Sequence, residues 1–131
     1  MNNDTWEKYL KIALVVFGAV VFLIYPLGMV WPAGWIWHGG EGAYYLQMIC
    51  GIYAVLGIFL IAAARDPAAN RSLISFTVWS SVVHAAIMAA QALSDRGEHG
   101  HLIGDVPALL LVAGVLWFLS PKGERLAGAT G

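Results

Sequence analysis

Four side chains of types that bind metals or carry protons lie in or beside apolar stretches of this 131-residue chain. They are Glu41, His84, His101 and Asp105. His101 and Asp105 are four residues apart, a spacing that puts two side chains on one face of a helix. Imidazole and carboxylate together suit Zn, Fe or Ni, and an added thioether from Met48 or Met88 would favour Cu. The first hypothesis is therefore a transition-metal site (Zn, Cu or Fe) formed by these four residues.

A second hypothesis is a site for a small lipophilic molecule such as a quinone. Such a site needs an apolar cleft with a few polar groups that orient the ligand. His84, Met88 and Gln91 fall on one stripe at helical spacing, and Trp79 and Tyr45 can add polar handles. The candidate ligand-binding residues are Tyr45, Trp79, Met88 and Gln91. A haem is not expected, because two-histidine ligation needs a partner at the depth of His84 and no other histidine is placed there.

Each of these residues also has a purely structural interpretation. His84 can be a packing histidine that is hydrogen-bonded to a neighbouring helix. Its candidate hydroxyl partners are Tyr44, Tyr45, Ser80 and Ser81. Asp105 can act only as a helix N-cap, and Glu41 at a helix start is favoured by the helix dipole without any function.

Depth also separates the candidates. His84 is expected about 13 Å inside the end of its helix, at 1.5 Å per residue, whereas His101 and Asp105 are expected near the surface. Metal–ligand distances are near 2 Å. A single compact site therefore requires residues 94–104 to fold inward.

Other chemistry finds no support in the sequence. Cys50 is the only cysteine, which excludes an intrachain disulfide and a multi-cysteine metal site. No glycine-rich phosphate loop, His-Glu-x-x-His motif or nucleophile elbow occurs. No catalytic residue can be assigned, and the formal net charge of −1 predicts no nucleic-acid partner.

The elements that must position these residues are membrane helices. The chain is 60% hydrophobic and 11% charged, against about 25% charged in soluble domains. No Asp, Glu, Lys or Arg occurs in residues 12–40, 42–64, 72–94 or 106–121. Most of these runs reach the roughly 17–25 residues that span a bilayer. The last run is slightly short, so its helix is expected to begin at or before Asp105.

The charge-free runs predict an all-α, four-transmembrane-helix bundle with up-down-up-down topology, in one membrane domain of residues 1–131. The predicted helices cover about 6–30, 41–64, 67–93 and 105–119. The first is too long for a signal-peptide core of about 7–15 residues and is expected to be retained. Pro26 predicts a kink near its end, and Asp66-Pro67 predicts the N-cap and first residue of the third helix.

Lysine and arginine set the orientation of a membrane protein. Of the lysines and arginines, only Arg96 is expected on the side opposite the termini. The basic residues on the side of the termini are Lys8, Lys11, Arg65, Arg71, Lys122 and Arg125. Both termini are therefore expected in the cytoplasm. The connection with three tryptophans at 31–37 and the loop with two histidines at 94–101 then face outward.

Five sequence runs carry a resemblance to a known family. They are YYLQM at 44–48, GIYAVLG at 51–57, ARDP at 64–67, SLISFTVWSSVVH at 72–84 and GHLIGDVP at 100–107. From about residue 10 to 120 the chain resembles a family of small bacterial four-helix membrane proteins known only as a domain of unknown function. The resemblance implies the fold and a bacterial inner-membrane location. It implies no activity and no site residues.

These observations lead to one functional expectation with two alternatives. The chain is expected to bind a metal ion or small ligand in an outward-facing polar site within the bilayer. The first alternative is an enzyme or redox subunit with a metal or quinone cofactor. The second is a structural or accessory subunit whose polar groups fix helix register. A homo-oligomer or a larger membrane complex is compatible with all three.

Overall fold

The computed structural model describes residues 3–30 and 41–120, and every regular element in this part of the chain is a helix. The elements are α1 (Asn3–Phe22), α2 (Ile24–Val30), α3 (Glu41–Ala63), α4 (Arg71–Ser94), a 3₁₀ helix (Arg96–Leu102) and α5 (Asp105–Leu119). The prediction of an all-α chain is confirmed for these residues. The Trp-rich connection 31–37 and the basic residues Lys122 and Arg125 lie outside them.

Three of the described segments are long and apolar enough to cross a membrane. They are Tyr44–Ala63, Arg71–Ser94 and His99–Leu119. The third includes the end of the 3₁₀ helix, which lengthens a segment that the charge-free run alone leaves short. Such segments indicate an integral membrane protein.

The first predicted helix, 6–30, is divided in two by Pro26. Proline has no N–H to donate to the carbonyl four residues earlier, here that of Phe22, and its ring crowds that carbonyl. Accordingly α1 ends at Phe22 and α2 begins at Ile24. Helical hydrogen bonds persist around the break, since Leu23 N–H donates to the Ala19 carbonyl at 3.0 Å. The interruption is therefore local.

The connection between α3 and α4 carries the expected capping bond, but the helix begins later than predicted. Asp66 Oδ1 accepts a hydrogen bond from Ala69 N–H at 3.0 Å. The Asn70 side chain donates to the Asp66 carbonyl at 2.8 Å, which closes residues 67–70 into a separate turn. The α-helix then begins at Arg71 rather than at Pro67.

The buried core lies at one end of the molecule. It combines the early part of α1, the last turns of α3 and α5, and the first turns of α4. The fully buried large side chains are Leu10, Leu14, Leu60, Ile74 and Leu116. Small residues, Ala13, Ala63 and Ala113, fill the spaces between them. This end also holds the α3–α4 connection. Among the described residues, the opposite ends of α3 and α4 contribute no large side chain that is fully buried.

A close helix contact joins α1 to α3 at two glycines. A Cβ on Gly57 would lie 2.5 Å from the Gly18 carbonyl oxygen and 2.8 Å from the Phe22 nitrogen. A Cβ on Gly18 would lie 2.7 Å from the Gly57 carbonyl oxygen. Small residues at such crossings let membrane helices approach closely and gain van der Waals contact. Because the obstructing atoms belong to the backbone, a side chain here forces the helices apart.

We therefore expect Gly57→Ala to destabilise the protein by about 1–3 kcal/mol, the usual cost of overpacking. Gly51→Ala is the matched control on the same helix, because a Cβ there meets nothing within 4 Å. It should leave stability unchanged or raise it slightly through helix propensity. Unfolding in mixed detergent micelles measures both. Equal stability of the two variants would contradict the close crossing.

Candidate functional site

The central feature of the site is a pair of side chains on α3 and α4. The Tyr53 hydroxyl and Nδ1 of His84 are hydrogen-bonded. The two rings are also nearly parallel, with an interplanar angle of 6° and a centroid separation of 5.9 Å. Both residues lie near the middle of their helices, and both are half-buried. The pair therefore links α3 to α4 beyond the buried core, toward the ends of these helices that lie away from the α3–α4 connection.

His84 has a second ring nitrogen, Nε2, for which the described residues provide no hydrogen-bond partner. An imidazole always carries two hydrogen-bonding nitrogens. One of them is satisfied by Tyr53, and the other is left for a group outside the described part of the protein.

A second pair lies at the start of α5. His101 Nδ1 and Asp105 Oδ2 are 2.5 Å apart, and their side chains are only 15% and 11% exposed. The 3₁₀ helix packs against both α4 and α5, which carries His101 inward. Both side chains are therefore largely buried, because residues 96–102 fold onto the helices instead of extending into solvent.

The two pairs lie close enough to influence one another. His84 is within electrostatic range of Asp105 and His101, and Tyr53 is within range of Asp105. Buried Cys50 lies one helical turn before Tyr53 on the same face of α3. The inward fold of the 3₁₀ helix thus gathers these polar groups in one region of the protein.

Gathering these groups does not place them around a single metal position. Among the residues that the structure describes, no group of three or more His, Cys, Asp or Glu side chains is arranged to hold a metal ion. Glu41 begins α3, but its side chain is not among those described. The structure therefore brings together His84, His101 and Asp105 as neighbours, and the four-residue metal site stays a hypothesis.

The remaining sequence candidates differ in how exposed their side chains are. Met88 is half-buried one turn beyond His84, and Gln91 is exposed near the end of α4. Tyr45 is 70% exposed and Trp79 is 63% exposed, so the structure does not bring either side chain to the Tyr53–His84 pair. Asp105 is the first residue of α5, and the N-cap position belongs to Gly104.

Tyr53 is not among the hydroxyl partners that the sequence suggests for His84. Two of those partners, Tyr44 and Tyr45, are each 70% exposed and so point away from the other helices. The packed face of α3 instead contains Cys50, Tyr53 and Gly57. Gly57 lies one turn after Tyr53, but the helix that approaches it is α1. It therefore does not identify Tyr53 as the partner of a residue on α4.

An apolar groove of about 530 Å³ lies apart from this region, between α1 and α5. Its walls include Tyr9, Val16 and Phe118, and Gly114 forms part of its floor. Tyr9 is the one residue of its described lining that has a polar side chain.

Comparison with protein families decides the affiliation of the chain. The profile of a family described as a family of unknown function, DUF6632, matches residues 4–128. The chain belongs to DUF6632. The match covers all five described α-helices of this DUF6632 protein apart from the first residue of α1, and therefore both polar pairs. Comparisons with curated proteins and with solved structures found no match.

The Tyr53–His84 contact can be measured by a double-mutant cycle. Tyr53→Phe removes the hydroxyl but keeps the ring, so we expect it to lower the free energy of unfolding by about 1 kcal/mol. Combined with His84→Ala, the coupling energy should lie near 0.6–1.7 kcal/mol, the range found for polar contacts in membranes. Tyr45→Phe makes the same chemical change at an exposed position and should have no effect. A coupling energy of zero would contradict the contact.

Proposed function

We propose that this chain is a small inner-membrane protein that binds a small ligand or a metal ion in an outward-facing polar site. The site consists of Tyr53, His84, His101 and Asp105, with Glu41 as a further candidate at the start of α3. Ionisable groups within membrane helices are costly and usually mark functional sites. The proposed activity is binding, with no catalytic step assigned to any residue.

The observation that carries this proposal is the incomplete hydrogen bonding of His84. A polar group in hydrocarbon that has no hydrogen-bond partner costs several kcal/mol. Nε2 of His84 has no partner among the described residues. A bound molecule that engages this nitrogen would remove that cost, which gives the site a reason to bind.

His101 and Asp105 supply the second half of the proposed site. Their pairing holds the imidazole in one orientation, as carboxylate–histidine pairs do beside bound metals. Met88 and Gln91, which follow His84 along α4, would line the approach from the outer end. Binding of a metal ion would require His84, His101 and Asp105 to move closer together than they are here, and Glu41 would be the fourth candidate ligand.

The proposed topology has four crossings, with α1 and α2 together forming the first. The segment from Asn3 to Val30 then crosses once, and α3, α4 and α5 cross in alternating directions. Positive residues favour the cytoplasm for both termini. The bacterial inner membrane follows from the family resemblance and belongs to the same proposal. Exposed apolar side chains of the helices would face lipid, a second copy, or a larger membrane complex.

The orientation is testable with single cysteines in intact cells. Ala68 lies in the α3–α4 connection and His99 in the 3₁₀ helix, and both are exposed. We expect a membrane-impermeant maleimide to label His99→Cys from outside and Ala68→Cys only after permeabilisation. Native Cys50 is buried and should stay unlabelled in the parent protein. The opposite labelling pattern would invert the proposed topology.

Binding is tested by isolating the protein with its natural contents. We expect the wild type, purified in native lipid discs, to carry a near-stoichiometric metal or organic molecule that a His84→Ala/His101→Ala double variant lacks. Elemental analysis, absorption spectra and mass spectrometry of extracts identify it. A folded wild type that carries neither, and takes up neither when supplied, would refute the proposed function.

A structural or accessory role is the second candidate, and one observation favours it. The Tyr53–His84 bond joins two helices whose backbones approach each other less closely than those of α1 and α3 or of α4 and α5. In this case the polar pair fixes the register of α3 against α4. Substitution of His84 would then reduce stability and leave no bound molecule to lose.

A further inference from the structure

The depth of His84 restricts what can reach it. His84 precedes the end of α4 at Ser94 by ten residues (94 − 84), which is about 15 Å along a helix. Tyr53 precedes the end of α3 at Ala63 by the same number (63 − 53). Since the hydrocarbon layer is about 30 Å thick, the pair lies near the bilayer midplane.

The hydrogen-bonding groups of Tyr53 and His84 determine which of their atoms carry protons. If the Tyr53 hydroxyl donates to Nδ1 of His84, the phenol proton is satisfied and the single group left over is Nε2–H. If Nδ1–H instead donates to Tyr53, both the phenol proton and the Nε2 lone pair are left over. Each unsatisfied group is costly in a low-dielectric interior. The first arrangement is favoured, so Nε2 of His84 carries a proton and is a donor.

No described residue accepts a hydrogen bond from Nε2–H, so the partner of His84 must be an acceptor from outside the described residues. A metal ion needs a lone pair on the nitrogen and does not suit a protonated Nε2. Ester carbonyls of phospholipids lie at the interface, about 15 Å from this depth. An acceptor oxygen on a lipid-soluble molecule meets both restrictions.

The surroundings of the pair suit an apolar ligand body. One turn from Tyr53 toward the outer end of α3 lies Ile49, which is 44% exposed. One turn from His84 toward the outer end of α4 lie Ile87, which is 53% exposed, and half-buried Met88. These side chains form an apolar approach from the bilayer to a partly exposed imidazole. Adaptable Met88 is well suited to pack against such a body.

We propose that the ligand of this site is a lipid-soluble carbonyl compound, of the isoprenoid-quinone class, whose carbonyl oxygen accepts a hydrogen bond from Nε2–H of His84. The inference rests on the proposed function and specifies its ligand. Tyr53 acts as a positioning residue, because its hydroxyl holds the proton of His84 on Nε2. His101 and Asp105 lie nearby as a second polar pair.

The test uses the full chain in lipid discs that contain no quinone, with decyl-benzoquinone as the probe. Binding is followed by infrared difference spectra of the carbonyl stretch and by the dissociation constant. We expect one probe carbonyl to shift to lower wavenumber in the wild type. His84→Leu should remove the shift and weaken binding about tenfold, the effect of losing one such hydrogen bond.

Three variants separate binding from folding. His84→Gln keeps an N–H donor and should retain most of the affinity, even if His84→Leu is less stable. Tyr53→Phe should weaken probe binding, because the proton of His84 is then no longer held on Nε2. His99→Gln is the control, since His99 is exposed on the 3₁₀ helix. Equal affinity of the wild type and a folded His84→Leu, or no carbonyl shift, would overturn the inference.

The source of the carbonyl is distinguished by two lipid compositions. If a lipid ester is the acceptor, the shifted carbonyl band will appear in probe-free discs of ester lipids and vanish in discs of ether lipids, which overturns the quinone assignment. Stoichiometric metal that depends on His84, without probe binding, overturns it as well but leaves the proposed function in place. Absence of metal, native ligand and probe binding together refutes both.

Discussion

A hydrogen-bonding side chain in hydrocarbon has only protein or a bound molecule to interact with, and this constraint governs how α3 and α4 meet. Tyr53 and His84 face each other near the middle of the two helices and are hydrogen-bonded there. Their parallel rings add apolar contact to the hydrogen bond. The positions of the 3₁₀ helix and of the His101–Asp105 pair follow from the same constraint, because an inward fold brings polar groups toward one another.

The two ends of the molecule are built differently. At the end of the α3–α4 connection, leucines and an isoleucine from four helices fill a common core, and two glycines allow α1 and α3 to touch. At the other end, α3 exposes Tyr44, Tyr45 and Met48 to 65% or more. The well-packed end provides a rigid base. The two polar pairs lie at the edge of this buried core or beyond it, toward the opposite end of the helices. Small movements of side chains there disrupt less packing.

The sequence predicted the positions of the helices well, because a membrane excludes charged residues from its interior. Charges cannot be placed in hydrocarbon at low cost, so the charge-free runs lie close to α3, α4 and α5. It was less informative about faces, because lipid and protein interior are equally apolar and helix periodicity does not tell them apart. For this reason Tyr44 and Tyr45 were expected to be as suitable as partners of His84 as any other hydroxyl, although both side chains are 70% exposed. Local competition explains the late start of α4, where the Asn70 side chain stabilises a separate turn.

The location of the fully buried core has a consequence for the route by which a ligand would reach His84. Leu10, Leu14, Leu60, Ile74 and Leu116 are fully buried at the end that holds the α3–α4 connection. On the proposed function, a molecule would therefore reach His84 from the opposite end of the helices or from the surrounding lipid. It would also leave by the same route, as a ligand does from a pocket with a single opening.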